Sequence, residues 1–153
     1  MYIVTALDGL YVDRQVATRN HVIARGLFNA WAEEWGMYVD STANRCQKGK
    51  KVVEIYEPYG VDVHSTAYIV TTIDYSDGFS IGMSVRDNYR EGIRMYLRAL
   101  LGMAEDGIMR DNDDNELVDD IVFIMEYYNK TDCFNDSVRF DNISMTFRTL
   151  KVI

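Results

Sequence analysis

The sequence predicts an α+β fold: a mostly antiparallel sheet built from three hairpins and covered by about three helices. Three observations predict it. Aspartate-led turn signals recur at Asp8-Gly9, Asp77-Gly78 and Asp141-Asn142, and such pairs supply the backbone angles of tight hairpin turns. The stretches beside them carry the apolar–polar alternation of strands with one buried face. Between the hairpins lie segments whose apolar residues recur every three or four positions, the period of an amphipathic helix. A doubly wound parallel sheet is not expected, because single strands alternating with helices and a Gly-rich first turn are both missing.

Taken in order, strand 2–7 turns at Asp8-Gly9 into a second arm at 10–12. A first helix follows Thr18, read as its N-cap, with Val22, Ile23, Leu27, Ala30, Trp31 and Trp35 on one stripe and Gly36 as its stop. A strand at 52–56 ends before Pro58, which cannot donate to a ladder. The second hairpin pairs 66–74 with 79–85, where Phe79, Ile81, Met83 and Val85 alternate with polar or small residues. A second helix begins at Asn88 with Glu91 three residues on, the spacing of a capping box, and runs to Gly102. A third starts near Asn115 and sets Leu117, Val118, Ile121, Ile124, Met125 and Tyr128 inward. The last hairpin joins 138–140 to 143–147. With no composition shift or Gly/Ser linker, and no internal repeat expected, 1–153 is read as one domain.

At 153 residues, 48% hydrophobic and 26% charged, the chain has ordinary globular composition, which excludes disorder and fibrous classes. Its longest uncharged apolar runs, such as 121–125, are too short to span a bilayer, so no membrane segment is expected. Met1-Tyr2-Ile3-Val4-Thr5 lacks the basic and apolar regions of a signal peptide, and a cytoplasmic location follows, that of the host if the protein is viral. Sixteen basic against 24 acidic residues give a net charge of −8, which disfavours direct binding to nucleic acid or anionic lipid and admits a basic protein partner. Cys46 and Cys133, far apart in such a chain, read as reduced thiols.

The densest charge signal is Asp111-Asn112-Asp113-Asp114-Asn115-Glu116, followed by Asp119 and Asp120. It begins like an EF-hand loop, but Glu116 stands where the turn needs glycine and Val122 where a bidentate glutamate closes the shell, so no calcium site is expected. Solvated carboxylates beside a helix N-terminus would account for the run, as would an acidic docking surface. Arg90, Arg94 and Arg98 recur every fourth residue and would form a basic stripe, able to grip an anion or to face the acidic segment.

Arg45-Cys46-Gln47-Lys48-Gly49-Lys50-Lys51 reads as a mobile cationic loop whose charges favour the Cys46 thiolate. It is not a Walker loop, since Asn44 and Lys51 occupy the positions of the first glycine and the final Ser or Thr. His21 and His64 are too few for a zinc site, and Asp62 with His64 supplies only two ligands. The carboxylate pairs Glu54/Glu57 and Asp74/Asp77 are explained by strand ends and turns. Eleven tyrosines exceed what the core needs and suit an interface. No complete catalytic motif is present; catalytic residues are unassigned, and no metal or cofactor is implied.

In texture, a short acidic chain without an export signal or catalytic signature is similar to the small accessory proteins that bacteriophages encode. The leading expectation is a non-enzymatic protein that docks on a basic, nucleic-acid-handling protein, as an inhibitor, through Asp111, Asp113, Asp114, Glu116, Asp119 and Asp120 with Tyr127 and Tyr128. One alternative is a small enzyme or sequestering protein for an anionic metabolite such as a nucleotide, with Arg90, Arg94 and Arg98 as the clamp. Another is a component that self-assembles as a homo-oligomer through a free edge of the terminal strand, 143–153.

Overall fold

A computed structural model describes residues 1–75, 79–104, 119, 122–123, 135–140 and 142–153. Asp8-Gly9 turns the chain as its composition requires. Gly9 takes φ 63°, open to glycine at little cost, and joins β1 (Tyr2–Asp8) to β2 (Tyr11–Thr18) in antiparallel register from Tyr2↔Thr18 to Asp8↔Tyr11. The second arm runs far beyond 10–12, because Val12, Gln15 and Ala17 are buried on one side of it. Asn20, rather than Thr18, caps α1 (His21–Glu34): its Oδ1 accepts the Val22 and Ile23 amides at 2.8 and 3.3 Å. Thr18 is a buried strand residue whose hydroxyl accepts the Asn20 amide.

The buried face of α1 is Ala24, Phe28, Trp31 and Ala32. Val22, Ile23 and Ala30 are exposed, so the apolar stripe lies rotated from the one the sequence suggests, and Leu27 and Trp35 are only partly covered. The cationic stretch at 45–51 is not a loop. It forms the hairpin of β3 (Arg45–Lys48) and β4 (Lys51–Tyr56), turned at Gly49 with φ 61°. β4 pairs with β1, giving a first sheet of order β2-β1-β4-β3.

The second half of the chain repeats this plan. β5 (Thr66–Asp74) and β6 (Ser80–Arg86) form a hairpin, α2 (Tyr89–Ala104) follows, and β7 (Asp136–Phe140) with β8 (Ile143–Lys151) completes a sheet of order β6-β5-β8-β7. Among the described residues the fold is thus α+β with two antiparallel four-stranded sheets rather than one, and four hairpins rather than three. The expected third helix lies outside the described residues except for Asp119, Val122 and Phe123, which are helical.

Both units carry the order ββαββ among the described elements, with helical residues at 119, 122 and 123 added in the second, and the correspondence reaches individual residues. Tyr2-Ile3-Val4-Thr5-Ala6-Leu7-Asp8 in β1 stands where Tyr68-Ile69-Val70-Thr71-Thr72-Ile73-Asp74 stands in β5, identical at five of seven positions. Asn20 and Asn88 both lie two residues past a strand end, and Asn88 Oδ1 accepts the Glu91 amide at 3.2 Å. Tyr2 meets His21, and Tyr68 meets Tyr89, in edge-to-face pairs with ring planes 66° apart in both cases. The chain therefore contains an internal repeat, contrary to the expectation of none.

Strand alternation decides the layers. Val4, Ala6, Val53 and Ile55 face α1, and Tyr68, Val70, Met145 and Phe147 face α2. The opposite faces meet each other: Ile3 and Ala17 pack with Ala67, Ile69 and Val85, while Leu7, Val12 and Val52 pack with Ile73. The order is helix, sheet, sheet, helix. Midway through this apolar contact, Gln15 Nε2 donates to Thr5 Oγ1 at 3.0 Å and to Thr71 Oγ1 at 3.1 Å, the same position in both repeats. At one end the last residues of the chain strap the sheets together: Val152 bridges Ala17 in parallel, and Ile153 exchanges backbone hydrogen bonds with Ala17 and Arg19. β8 lies between β5 and β7 in the sheet order, with β7 covering its edge over 143–147.

Two tests follow from this packing. A Cβ on Gly92 would lie 2.6 Å from Tyr68 Cβ, whereas one on exposed Gly26 meets nothing within 4 Å. Gly92→Ala is expected to destabilise by about 1–3 kcal/mol and Gly26→Ala to stabilise by about 0.5–1 kcal/mol, read from urea unfolding. Gln15→Leu is expected to cost about 1–3 kcal/mol because two buried hydroxyls lose their donor. Adding Thr5→Val and Thr71→Val should recover most of that loss in the same assay.

Candidate functional site

The connections between helix and following hairpin break the symmetry of the two units. Ten residues, 35–44, join α1 to β3, but 31 residues, 105–135, join α2 to β7. Within that longer connection, 105–120 holds eight acidic residues against one arginine, so it carries −7 of the net charge of −8. The remaining chain is close to neutral. Asp111, Asp113, Asp114, Glu116, Asp120, Tyr127 and Tyr128 lie outside the described residues.

The described part of the connection is anchored on α2. Val122 is fully buried among Tyr68, Ile93 and Tyr96, while Phe123 is exposed. Asp119 Oδ1 lies 3.0 Å from Arg94 Nε, a contact of charges rather than an aligned hydrogen bond. Arg94 also reaches Glu91 at 3.2 Å. The row Arg90, Arg94, Arg98 is therefore not an open anion clamp: its middle member is neutralised by two carboxylates, one from the acidic segment, and Arg98 Nε is out of contact with water.

The cationic hairpin at 45–51 is also committed. Arg45 lies 3.9 Å from Glu54 and over the Phe79 ring, and Lys48 Nζ donates to the Gly36 carbonyl. Lys51 lies over Trp35. Cys46 packs toward α1 with Sγ 3.5 Å from Met37 Sδ. Burial pushes its thiol pKa up, so packing outweighs the surrounding cations and the expected thiolate character is reversed.

His21 is held against Tyr2. His64 lies between Arg19 and Asp62, with Nε2 3.0 Å from Asp62 Oδ2, in an exposed cluster whose arginine opposes a bound cation. No group of three or more His, Cys, Asp or Glu side chains placed to hold a metal occurs among the described residues. Nor is any helix among them long and apolar enough to cross a membrane. Trp31 and Trp35 flank the Arg14 guanidinium at 5.1 and 5.4 Å, and Arg14 is bridged to Glu34 and Asp13 at 2.7 and 3.0 Å. These aromatic rings serve the scaffold, whereas Tyr38 and Tyr59 stand almost wholly in solvent.

One further site was not visible in the sequence. Asp8 pairs with Lys51 in register, the Tyr75 amide donates to the Asn142 carbonyl, and the Tyr75 hydroxyl reaches the Lys50 carbonyl. These contacts gather the hairpin tips at one end of the sandwich. Between the tips of the two sheets is a cleft of about 380 Å³ lined by Asp8, Tyr11, Lys50, Tyr75 and Arg139, with Leu10 and Gly9. The only sequence signal for it was the turn chemistry of each hairpin, since successive tips that line it lie 25 to 64 positions apart in the chain.

Comparison with protein-family models, with curated proteins and with solved structures gives no match in any of the three.

Glu54 provides a test of charge in the inter-sheet layer. It sits opposite Thr5 in β1, largely buried, and burial raises its pKa against the lowering effect of Arg45. The folded state then binds more protons than the unfolded state above the ordinary glutamate value of 4.5, and the group's contribution to stability falls as pH rises through that window. Glu54→Gln is expected to be more stable than the parent at neutral pH, with the gap closing below that value, in unfolding curves measured across pH.

Proposed function

We propose that this protein is a non-enzymatic binding protein that docks on a basic, nucleic-acid-handling protein, as an inhibitor, through the acidic connection after α2. The observation that carries the reading is the placement of the charge. The first unit closes its ββαββ plan with a ten-residue connection, and the second spends 31 residues on the same step, including almost all the net charge. Folding the repeat does not call for that excess.

Asp119 is taken up by Arg94, so the contact surface is assigned to Asp111, Asp113, Asp114 and Glu116, with Asp120, Tyr127 and Tyr128 after them in the chain. Seven excess negative charges within 16 residues raise the encounter rate with a basic surface and make the association sensitive to salt. The anchoring of Val122 in the α2 layer ties this segment to the scaffold and limits the ordering entropy lost on docking.

The test is retention of host proteins on the immobilised chain at about 50 mM and about 300 mM salt, with the parent and with the variant carrying Asp111→Asn, Asp113→Asn, Asp114→Asn and Glu116→Gln. The parent is expected to hold a basic protein at low salt and to inhibit its activity on nucleic acid. The variant should lose both by at least about tenfold. Equal retention and equal inhibition by the two chains would refute the assignment.

A further inference from the structure

The cleft between the hairpin tips holds an uncommon combination of charges. Lys50 and Arg139 come from different sheets, β3–β4 and β7, and neither meets a carboxylate among the described residues. The Lys50 stem lies over the β1–β2 turn, with Cδ 3.6 Å from the place a Cβ on Gly9 would occupy. Arg139 is held in position rather than loose: its Nη1 donates to the Tyr11 hydroxyl at 2.8 Å, and its guanidinium lies 5.6 Å from the centre of that ring. These contacts leave further N–H groups of the planar fork for an acceptor.

The same cleft is lined by Asp8, whose Oδ1 is out of contact with water and meets no donor among the described residues. A carboxylate oxygen so placed has unmet hydrogen-bonding capacity. Its charge and burial both raise the pKa of the neighbouring Tyr75 hydroxyl, burial more strongly, and that hydroxyl donates to the Lys50 carbonyl at the edge of the cleft. The volume, about 380 Å³, is that of small-molecule sites. Leu10 and the tyrosine rings provide apolar lining.

The geometry points to a binding site for a small zwitterion of the amino-acid or short-peptide class, its carboxylate held between Lys50 and Arg139 and its ammonium by Asp8. A simple anion would satisfy the two cations and leave Asp8 repelling it; a simple amine would do the reverse. A molecule bearing both charges meets all three groups at once. The site uses no residue of the acidic connection, and its occupancy is independent of the docking proposed above.

The experiment is amide chemical-shift titration of the full chain with the standard amino acids and a set of dipeptides, followed by the deaminated and decarboxylated analogues of the best ligand. Shifts are expected at Gly9, Tyr11, Lys50 and Tyr75, with each analogue at least about tenfold weaker than its parent. Asp8→Asn should abolish the preference for the ammonium, and Arg139→Gln the preference for the carboxylate. Thermal unfolding checks that each variant is folded. Absence of shifts at the tips with every zwitterion, or equal binding of an analogue lacking either charge, would overturn the proposal.

Discussion

A buried side chain that crosses between the two sheets holds them in register. Gln15 crosses from β2 to the threonines that occupy the same place in the two repeats, Thr5 and Thr71, between the apolar side chains of Ile3, Leu7, Ile69 and Ile73. Apolar contact alone would allow the sheets to slide, because dispersion and burial have little directional preference. A buried amide has no such freedom. Displacing one sheet by a residue would turn a threonine hydroxyl away from Nε2 and present a donor to hydrocarbon, a cost comparable to the net worth of several surface contacts.

That constraint separates scaffold from surface. The inter-sheet layer and the two helix-covered faces consume the matched parts of the repeats: the YIVT strands, the asparagine caps, and the aromatic pair at each helix start. The units differ most in the connection after the helix, of which Val122 packs into the α2 layer. The second unit carries the long acidic connection, and the basic row on α2 has become partly its internal counterweight through Arg94 and Asp119. Charge that looks like two opposed signals in the sequence is, at that point, one ion pair.

Local chemistry was the legible part of the sequence. Asp8-Gly9 specified a hairpin that forms with Gly9 at φ 63°, Asn88 with Glu91 marked the start of α2, and the alternation in 66–74 and 79–85 gave β5 and β6 to within a residue. Assignments failed where long-range pairing decides. β3 is short, polar and cationic, with no alternation to announce it, and becomes a strand because β4 offers it an edge. β2 continues through Asp13 and Arg14 because alternate residues there are covered by the other sheet and by α1. Val22 and Ile23 fit an apolar stripe by spacing, yet the angle at which α1 meets its sheet leaves them in water. The repeat itself was written in the chain, but only over one heptapeptide; turns of unequal length and a connection three times longer in the second unit conceal the rest. The cleft was not legible at all, since its cations and carboxylate come from three hairpins that only the stacked sheets bring together.

The duplicated plan also shapes how the chain reaches its native state. Each ββαββ unit completes its hydrogen-bonded ladders within its own half of the sequence, hairpin by hairpin, and only the β1–β4 and β5–β8 pairings reach across a helix. The loop-closure entropy of assembly is thereby divided into two modest searches and one docking event, in place of a single search through 153 residues. The strap at Val152 and Ile153 joins the two halves, since its partners Ala17, Arg19 and Ser65 belong to the first unit and to the junction between the units. It acts as a latch on a molecule built as two copies of one idea.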